Sequence, residues 1–367
     1  LKRPLEGFFL REEAYPEDLA AVGKEVRNLR TLQPTELIKF ASPETDPFVP
    51  LGKYYKNGAY QRRPVFVAEV PDAKVYLPTG LVCTRSFKAL VDRGLEHRVH
   101  EFGPFRQFKP RGLPKLRGTY STLSYCFANN FWHWMVDCLP KLHSLTQVAP
   151  TGVTLLMPPV TTEFQRETLR LLLPKGYEVR YDLTAPWVQV ENFLWPSLVS
   201  DRCMGLLPDA YYRAIRDPIL EKLALTTPLP RTERIYVSRA KANKRRARNE
   251  DEVVACLARF GIRRVFLEEI PFRDMVELFL RAELVVGPHG AGLGSMFFAG
   301  PIPLVVLYPT RVPPNYFHSV ALGLGQKHYH VLHDETEEDA DFTVNIAELE
   351  RVLRDEVRVE PKLVAAS

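Results

Sequence analysis

The chain has 367 residues, 49 basic against 44 acidic for a net charge of +5, with 46% hydrophobic and 25% charged residues. These values fit an ordinary globular protein and exclude disordered, collagen-like and coiled-coil chains. The charge is too mild to indicate nucleic acid, and a single core stops growing at about 250–300 residues, so two domains are expected. No apolar run approaches the roughly 18 residues of a membrane span, and no signal-peptide pattern follows Leu1. Five widely spaced cysteines (Cys83, Cys126, Cys138, Cys203 and Cys256) form no Cys-x-x-Cys pair, and no Asn-x-Ser/Thr acceptor occurs. Neither a zinc knuckle nor a disulfide framework is supported, so a reducing cytoplasm is expected.

Along the chain, residues 1–60 read as irregular, punctuated by Pro4, Pro16, Pro34, Pro43, Pro47 and Pro50. Three strands follow between Pro64 and Cys83 (PVFVAEV, AKVYL and GLVC), then a basic, proline-bearing loop over 109–117. The middle third alternates: a helix over 131–145, a strand over 153–157, a helix over 164–173, strands EVRYDL and 188–196, and a helix over 209–225. That rhythm predicts a parallel sheet with helices on both faces. The stretch LTTPLPRTE (225–233) reads as a linker, and the rhythm then restarts. A strand (234–239), a helix closed by Gly261 (249–261) and a strand (263–268) lead to a helix opened by Pro271 (271–283). A strand (283–287), a glycine-rich turn into a helix, and a buried strand (303–309) complete the pattern. An acidic stretch over 334–341 is expected at the surface, before a last helix over 346–356. The predicted division is an N-terminal domain (1–228), a C-terminal domain (229–335) and a terminal segment (336–367) packing back across them. No internal repeat is present.

Three segments carry chemistry. Gly287-Pro-His-Gly-Ala-Gly-Leu-Gly294 joins a strand to a helix, where glycines permit close backbone approach and the first amides are unpaired. Such a turn suits a pyrophosphate, with His289 adding a hydrogen bond or a positive charge; the alternative is a turn in which glycine only permits packing. The spacing is neither the dinucleotide fingerprint nor a Walker A loop. Ser238 to Glu250 holds six basic residues between Arg239 and Arg248, ending at Asn249, a good helix N-cap. Loops at the carboxyl ends of parallel strands form the ligand crevice of open α/β sheets, which places Arg239 to meet a phosphate. The alternatives are a solvated basic loop or a nucleic-acid contact, the latter unsupported by any interleaved aromatic residue. Third, Asn129-Asn130 opens a helix on which His133 and Asp137 stand four apart, on one face. The pair suits a general base and its partner, or a buried hydrogen bond that orders a core helix, and the spacing alone favours the latter. Pro140 is expected to kink or end that helix.

Together these segments resemble glycosyltransferase family 61, and its bacterial branch in particular. The resemblance rests on His133/Asp137, Ser238/Arg239, Arg246 to Asn249-Glu250, Leu267-Glu268 and Gly287–Leu293, in the family's order over 125–309. It implies a GT-B fold: α/β, with two Rossmann-like doubly wound domains facing across a cleft. It implies an inverting, metal-independent transfer of sugar from a UDP-sugar to a hydroxyl of a capsular, exopolysaccharide or envelope glycan, with no separate cofactor. A protein O-glycosyltransferase and a non-catalytic sugar-nucleotide-binding scaffold are the alternatives. The resemblance implies His133 and Asp137 as base and partner, in either order. It also implies a donor site drawn from Ser238, Arg239, Arg246, Asn249, Glu250, Glu268, Gly287, His289, Gly290, Ala291 and Gly292. Glu268 would suit the ribose hydroxyls, while Asn249 and Glu250 would hold the basic loop or touch the donor. The expected partners are the nucleotide sugar and a glycan or lipid-linked glycan acceptor. Basic and aromatic residues over 102–120 could meet anionic lipid at the inner face of the membrane. The family pattern departs at Leu293-Gly294-Ser295, where many members have Leu-Thr-Asn.

Overall fold

The computed structural model describes residues 25–39, 55–56, 59–90, 112–125, 127–158, 160–200, 205–309, 316–333 and 340–361. Its strands in chain order are β1 (Arg27–Gln33), β2 (Glu36–Lys39), β3 (Tyr55–Lys56), β4 (Ala59–Arg62), β5 (Val65–Tyr76), β6 (Leu81–Cys83), β7 (Ala89–Leu90) and β8 (Lys115–Ser121). They continue with β9 (Val153–Leu156), β10 (Glu178–Arg180), β11 (Trp187–Pro196), β12 (Glu233–Val237), β13 (Arg263–Val265), β14 (Ala282–Pro288), β15 (Pro303–Tyr308) and β16 (Lys327–Leu332). The chain separates into two compact units, the first built mainly from residues 61–203 and the second mainly from 220–367. A small three-stranded sheet has the order β2-β4-β3.

The sheet of the first unit runs β10-β9-β8-β11-β5-β6-β7, with β1 added to β5. It is mixed, where the strand–helix rhythm predicts a parallel sheet. The parallel part is confined to β10, β9, β8 and β11. β11 then pairs antiparallel with β5, and the turn Leu77–Gly80 folds β5 straight back into an antiparallel β6. The expected strands PVFVAEV and AKVYL are one continuous β5, in which Pro71 lies opposite Asn192. The core here gathers Phe66, Val75, Val190, Phe193 and Trp195.

The second unit carries a five-stranded sheet, β13-β12-β14-β15-β16, and every pairing in it is parallel. Helices Glu250–Arg259 and Phe272–Leu280 follow β12 and β13, as the apolar periodicity predicts. β16 and the helix Tyr316–Gly323 before it complete the unit and were not legible as separate elements. The final helical segment, Ile346–Arg351 with a π turn over Val352–Val357, packs Leu349, Val352 and Leu353 into the same core as Tyr236, Phe260 and Val305.

Most of residues 1–60 and of the basic, aromatic stretch over 102–120 for which a lipid contact is expected fall outside the described residues, as do 334–339 of the acidic stretch. Within the described part β1 and β2 replace an irregular reading, and β8 begins inside the expected loop at Lys115. Cys83, Cys138 and Cys256 are buried thiols. Among the described residues no helix is long and apolar enough to cross a membrane.

Candidate active site

In the first unit the site is built on an irregular helix. Asn130 caps it, its side-chain oxygen accepting the His133 N–H at 3.4 Å. One α-turn (Phe131–His133) widens into a π turn (Trp134–Cys138), in which the Leu139 N–H reaches back to the Trp134 carbonyl at 3.0 Å. A fresh helix, Pro140–Val148, starts at once. Pro140 is expected to kink or end the helix. It occupies the first turn of the fresh helix, where its missing N–H leaves no bond unmade, and the π turn ends before it at Cys138. The π turn holds Trp134, Met135, Val136, Asp137 and Cys138 in the core.

Asp137 is fully buried, whereas the His133 side chain is 21% exposed. Their contact, His133 Nδ1 to Asp137 Oδ2, is 2.7 Å. The Tyr125 hydroxyl closes a triangle with the same two atoms, 2.6 Å from Asp137 Oδ2 and 2.7 Å from His133 Nδ1. The other carboxylate oxygen, Oδ1, accepts a hydrogen bond from Ser200 Oγ. A carboxylate only accepts, so the arrangement that satisfies all three groups has Tyr125, Ser200 and the Nδ1–H of His133 donating to it. Nε2 of a neutral His133 is then the unprotonated nitrogen, facing away from the aspartate. Phe127 stacks on the imidazole with ring centroids 5.2 Å apart and fixes its plane.

In the second unit, loops at the carboxyl ends of β12 and β14 converge. The Arg239 guanidinium lies against Gly290 and donates to the Lys244 carbonyl at 3.0 and 3.3 Å. Arg245, held in the left-handed region at φ 58°, donates from Nη1 to His289 Nδ1 at 2.6 Å. A non-glycine residue in that region is uncommon, and this one is held there by its loop. Because Arg245 only donates, His289 Nδ1 accepts, and its proton sits on Nε2. His289 is 4% exposed, stacked on Tyr308 and edge-on to Phe317. Burial, then Arg245, then Arg239 push its pKa well below the ordinary 6.5. Of the hydrogen bond or positive charge expected of His289, the charge is therefore disfavoured: it is a neutral imidazole whose Nδ1 accepts from Arg245.

Residues 131–306, which include His133, Asp137, Ser200, Arg239, Arg245 and His289 but not Tyr125, match the sequence profile of the family described as Glycosyltransferase 61. This chain carries a glycosyltransferase family 61 domain. It is also similar to the EGF domain-specific O-linked N-acetylglucosamine transferase of Drosophila melanogaster, at 33% identity over 99 residues. That alignment covers 26% of this chain and 19% of the fly protein.

Within the family 61 segment the structure gives the remaining expected residues distinct surroundings. Ser238 Oγ donates to Glu250 Oε1 at 2.6 Å and accepts the Ala240 N–H at 3.1 Å. Glu250 also accepts from Tyr236 and meets Arg264, so the two residues brace the start of the basic loop. Arg246 pairs with Asp341 through Nε and Nη2 at 2.8 and 2.6 Å. Asn249 sits at the expected N-cap position, but its side chain makes no cap bond. It bridges instead to the backbone of Val344, accepting at 2.9 Å and donating at 3.0 Å. Glu268 is exposed on a single 3₁₀ turn, Leu267–Glu269. The helix expected after the glycine turn is a 3₁₀ segment, Ala291–Phe298, whose first internal bond is Leu293 N–H to the Gly290 carbonyl. The Ala291 and Gly292 amides precede it. Gly287 and Gly292 are packing glycines: a Cβ on either would come within 3.3 Å of Val237 or Leu293 atoms.

Sequence reasoning missed Tyr125, Ser200 and Arg245. Ser200 lies 63 residues from Asp137 and has no local signal. Arg245 was one of six cations in a run, distinguished only by its backbone.

Proposed function

We propose that the protein is an inverting, metal-independent glycosyltransferase that moves a sugar from a UDP-sugar to a hydroxyl of a glycan acceptor. In this reading the units form the two halves of a GT-B enzyme, the first serving the acceptor and the second the donor. The observation that carries it is the His133–Asp137 pair, a partly exposed imidazole oriented by a fully buried carboxylate inside a family 61 segment. The burial of Asp137 favours His133 as the base and Asp137 as its partner.

The chemistry follows from those positions. The acceptor hydroxyl gives its proton to His133 Nε2 as its oxygen attacks the anomeric carbon. The bond from that carbon to the phosphate oxygen breaks, and its electron pair leaves with UDP. The imidazolium formed is stabilised through Nδ1–H by Asp137. The growing negative charge on the diphosphate is met by Arg239, Arg245, the neutral N–H of His289 and the Ala291 and Gly292 amides. Two fixed guanidinium groups supply the charge that a divalent cation supplies in other transferases. Ser238, Glu250, Arg246 and Asn249 support the loop that carries Arg239 and Arg245.

The fly relative is named for transfer to an EGF domain, so a protein hydroxyl is the second reading for the acceptor. The test is calorimetric titration of UDP, GDP, CMP and dTDP with and without EDTA, followed by turnover of a UDP-sugar panel. Selective UDP binding that survives EDTA and is lost in Arg239→Ala supports the donor reading. Loss of nucleotide binding altogether would favour the scaffold alternative, and turnover in both His133→Ala and Asp137→Ala would remove the base assignment.

A further inference from the structure

The hydrogen-bond triangle at His133 has a third member that a base and its orienting carboxylate do not require. Tyr125 comes from the loop after β8, is 7% exposed, and places its hydroxyl 2.6 Å from Asp137 Oδ2 and 2.7 Å from His133 Nδ1. Behind its ring lies Lys141, itself 6% exposed, with Nζ 5.5 Å from the ring centroid and donating to the Leu123 carbonyl at 3.3 Å. A buried ammonium group with one carbonyl and one aromatic face as neighbours is costly to keep, and here its field favours donation from the phenol O–H. Among the described residues, the titratable groups named in the network are His133 and Asp137 on the irregular helix, Tyr125 on the preceding loop and Lys141 on the following helix.

We propose that Tyr125 is a positioning residue whose phenol, by donating to Asp137, sets how much of the carboxylate's charge reaches Nδ1 of His133 and thus the pH at which Nε2 takes a proton. The proposal rests on the reading of His133 as base. With Tyr125 and Ser200 both donating, part of the aspartate charge is spent on hydroxyl groups. The imidazolium then gains less from Asp137 than in a simple His–Asp pair, so the proton taken from the acceptor is not held too tightly to be released for the next turnover. Removing the phenol O–H leaves the carboxylate facing His133 with one donor fewer, which holds the imidazolium more strongly.

The test uses the full chain with nitrogen-15 histidine, reading the tautomer and titration of His133 by NMR in the wild type, Tyr125→Phe and a fluorotyrosine-substituted protein. The wild type is expected to show the Nδ1–H tautomer. Tyr125→Phe should move the titration of His133 to higher pH, because the carboxylate facing it loses one of its three donors. The acidic limb of the kcat profile should move with it, while KM for the donor stays unchanged. Fluorotyrosine, which keeps the shape and donates more strongly, should move both the other way, and it decides the matter if Tyr125→Phe does not fold. An unmoved titration in folded Tyr125→Phe or in the fluorotyrosine protein, or an Nε2–H tautomer in the wild type, overturns the proposal. Full turnover by His133→Gln would instead remove the base assignment and leave the NMR result standing as a statement about the network.

Discussion

A Cβ at position 290 would overlap the guanidinium of Arg239, coming 2.6 Å from its Cζ. The backbone of Gly290 is extended, with φ near 180°, so this glycine serves space and not conformation. Arg239 is a flexible side chain and can swing out of the way of a methyl group. Gly290→Ala is therefore expected to leave the fold intact while moving a cation out of the proposed donor site. UDP affinity should fall about tenfold, equivalent to about 1.4 kcal/mol, with the melting temperature nearly unchanged. Calorimetry on the variant checks the first, and a thermal melt the second.

His289 gives the second unit an acid sensitivity with a definite sign. Its pKa lies well below 6.5 in the folded chain because burial, Arg245 and Arg239 all oppose its charge. Unfolded, the same group titrates near 6.5, so below that pH the unfolded state binds the extra proton and stability falls as pH falls. Above it the contribution is complete. Thermal melts between pH 5 and 8 should show the wild type losing more stability on acidification than His289→Gln. Equal slopes for the two proteins would show that His289 is not buried in a neutral form.

Asn249 illustrates how a local signal can be satisfied by a distant partner. An asparagine before an acidic first turn reads as an N-cap, and the helix does begin at Glu250. Yet its amide is spent on both backbone groups of Val344, tying the basic loop to the chain 95 residues on. Asn249→Ala would leave that N–H and C=O unmatched, at a cost of about 1–3 kcal/mol. Asn249→Asp can still accept from the Val344 N–H but cannot donate, and should lie between the two. The check is denaturant unfolding of the three proteins, with UDP affinity following the order of stability.

The elements of the second unit are legible because each strand is a short apolar run closed by a turn signal. Pro271 opens one helix and Gly261 closes another, and the periodicity changes where they say. The first unit hides its topology, since β5 and β11 have the same apolar runs whether they pair parallel or antiparallel. The turn from Leu77 to Gly80 marks the β5–β6 hairpin, but β11 lies far from β5 in the sequence and carries no local signal of its direction. His133 and Asp137 could be paired from their spacing, because four residues place them on one face even through a π turn. Tyr125 and Ser200 could not, since hydrogen bonds from a loop and from beyond β11 leave no periodic trace. In the glycine turn the sequence left phosphate binding and packing open. Gly287 and Gly292 are packed against Val237, while Gly290 admits Arg239, so individual glycines of one motif do different things.

The two members of the base pair should fail in different ways. Asp137 is fully buried and receives hydrogen bonds from Ser200, Tyr125 and His133. Asp137→Ala strands these donors, and each one left unsatisfied costs about 1–3 kcal/mol, so stability and activity fall together. Asp137→Asn keeps the shape, but its NH2 must face either Ser200 or the Tyr125–His133 side, where donors already point. If it faces His133, the imidazole must accept at Nδ1, which puts the proton on Nε2 and blocks the base. His133 is partly exposed, so His133→Gln should cost little stability while kcat falls by about 10²–10⁴. UDP affinity should be unaffected in His133→Gln, because its contacts are assigned to Arg239, Arg245 and His289. Steady-state kinetics with a UDP-sugar, paired with denaturant unfolding of the same variants, separates the two patterns. Equal losses of kcat and stability in His133→Gln would mean that the imidazole orders the helix and does not take the proton.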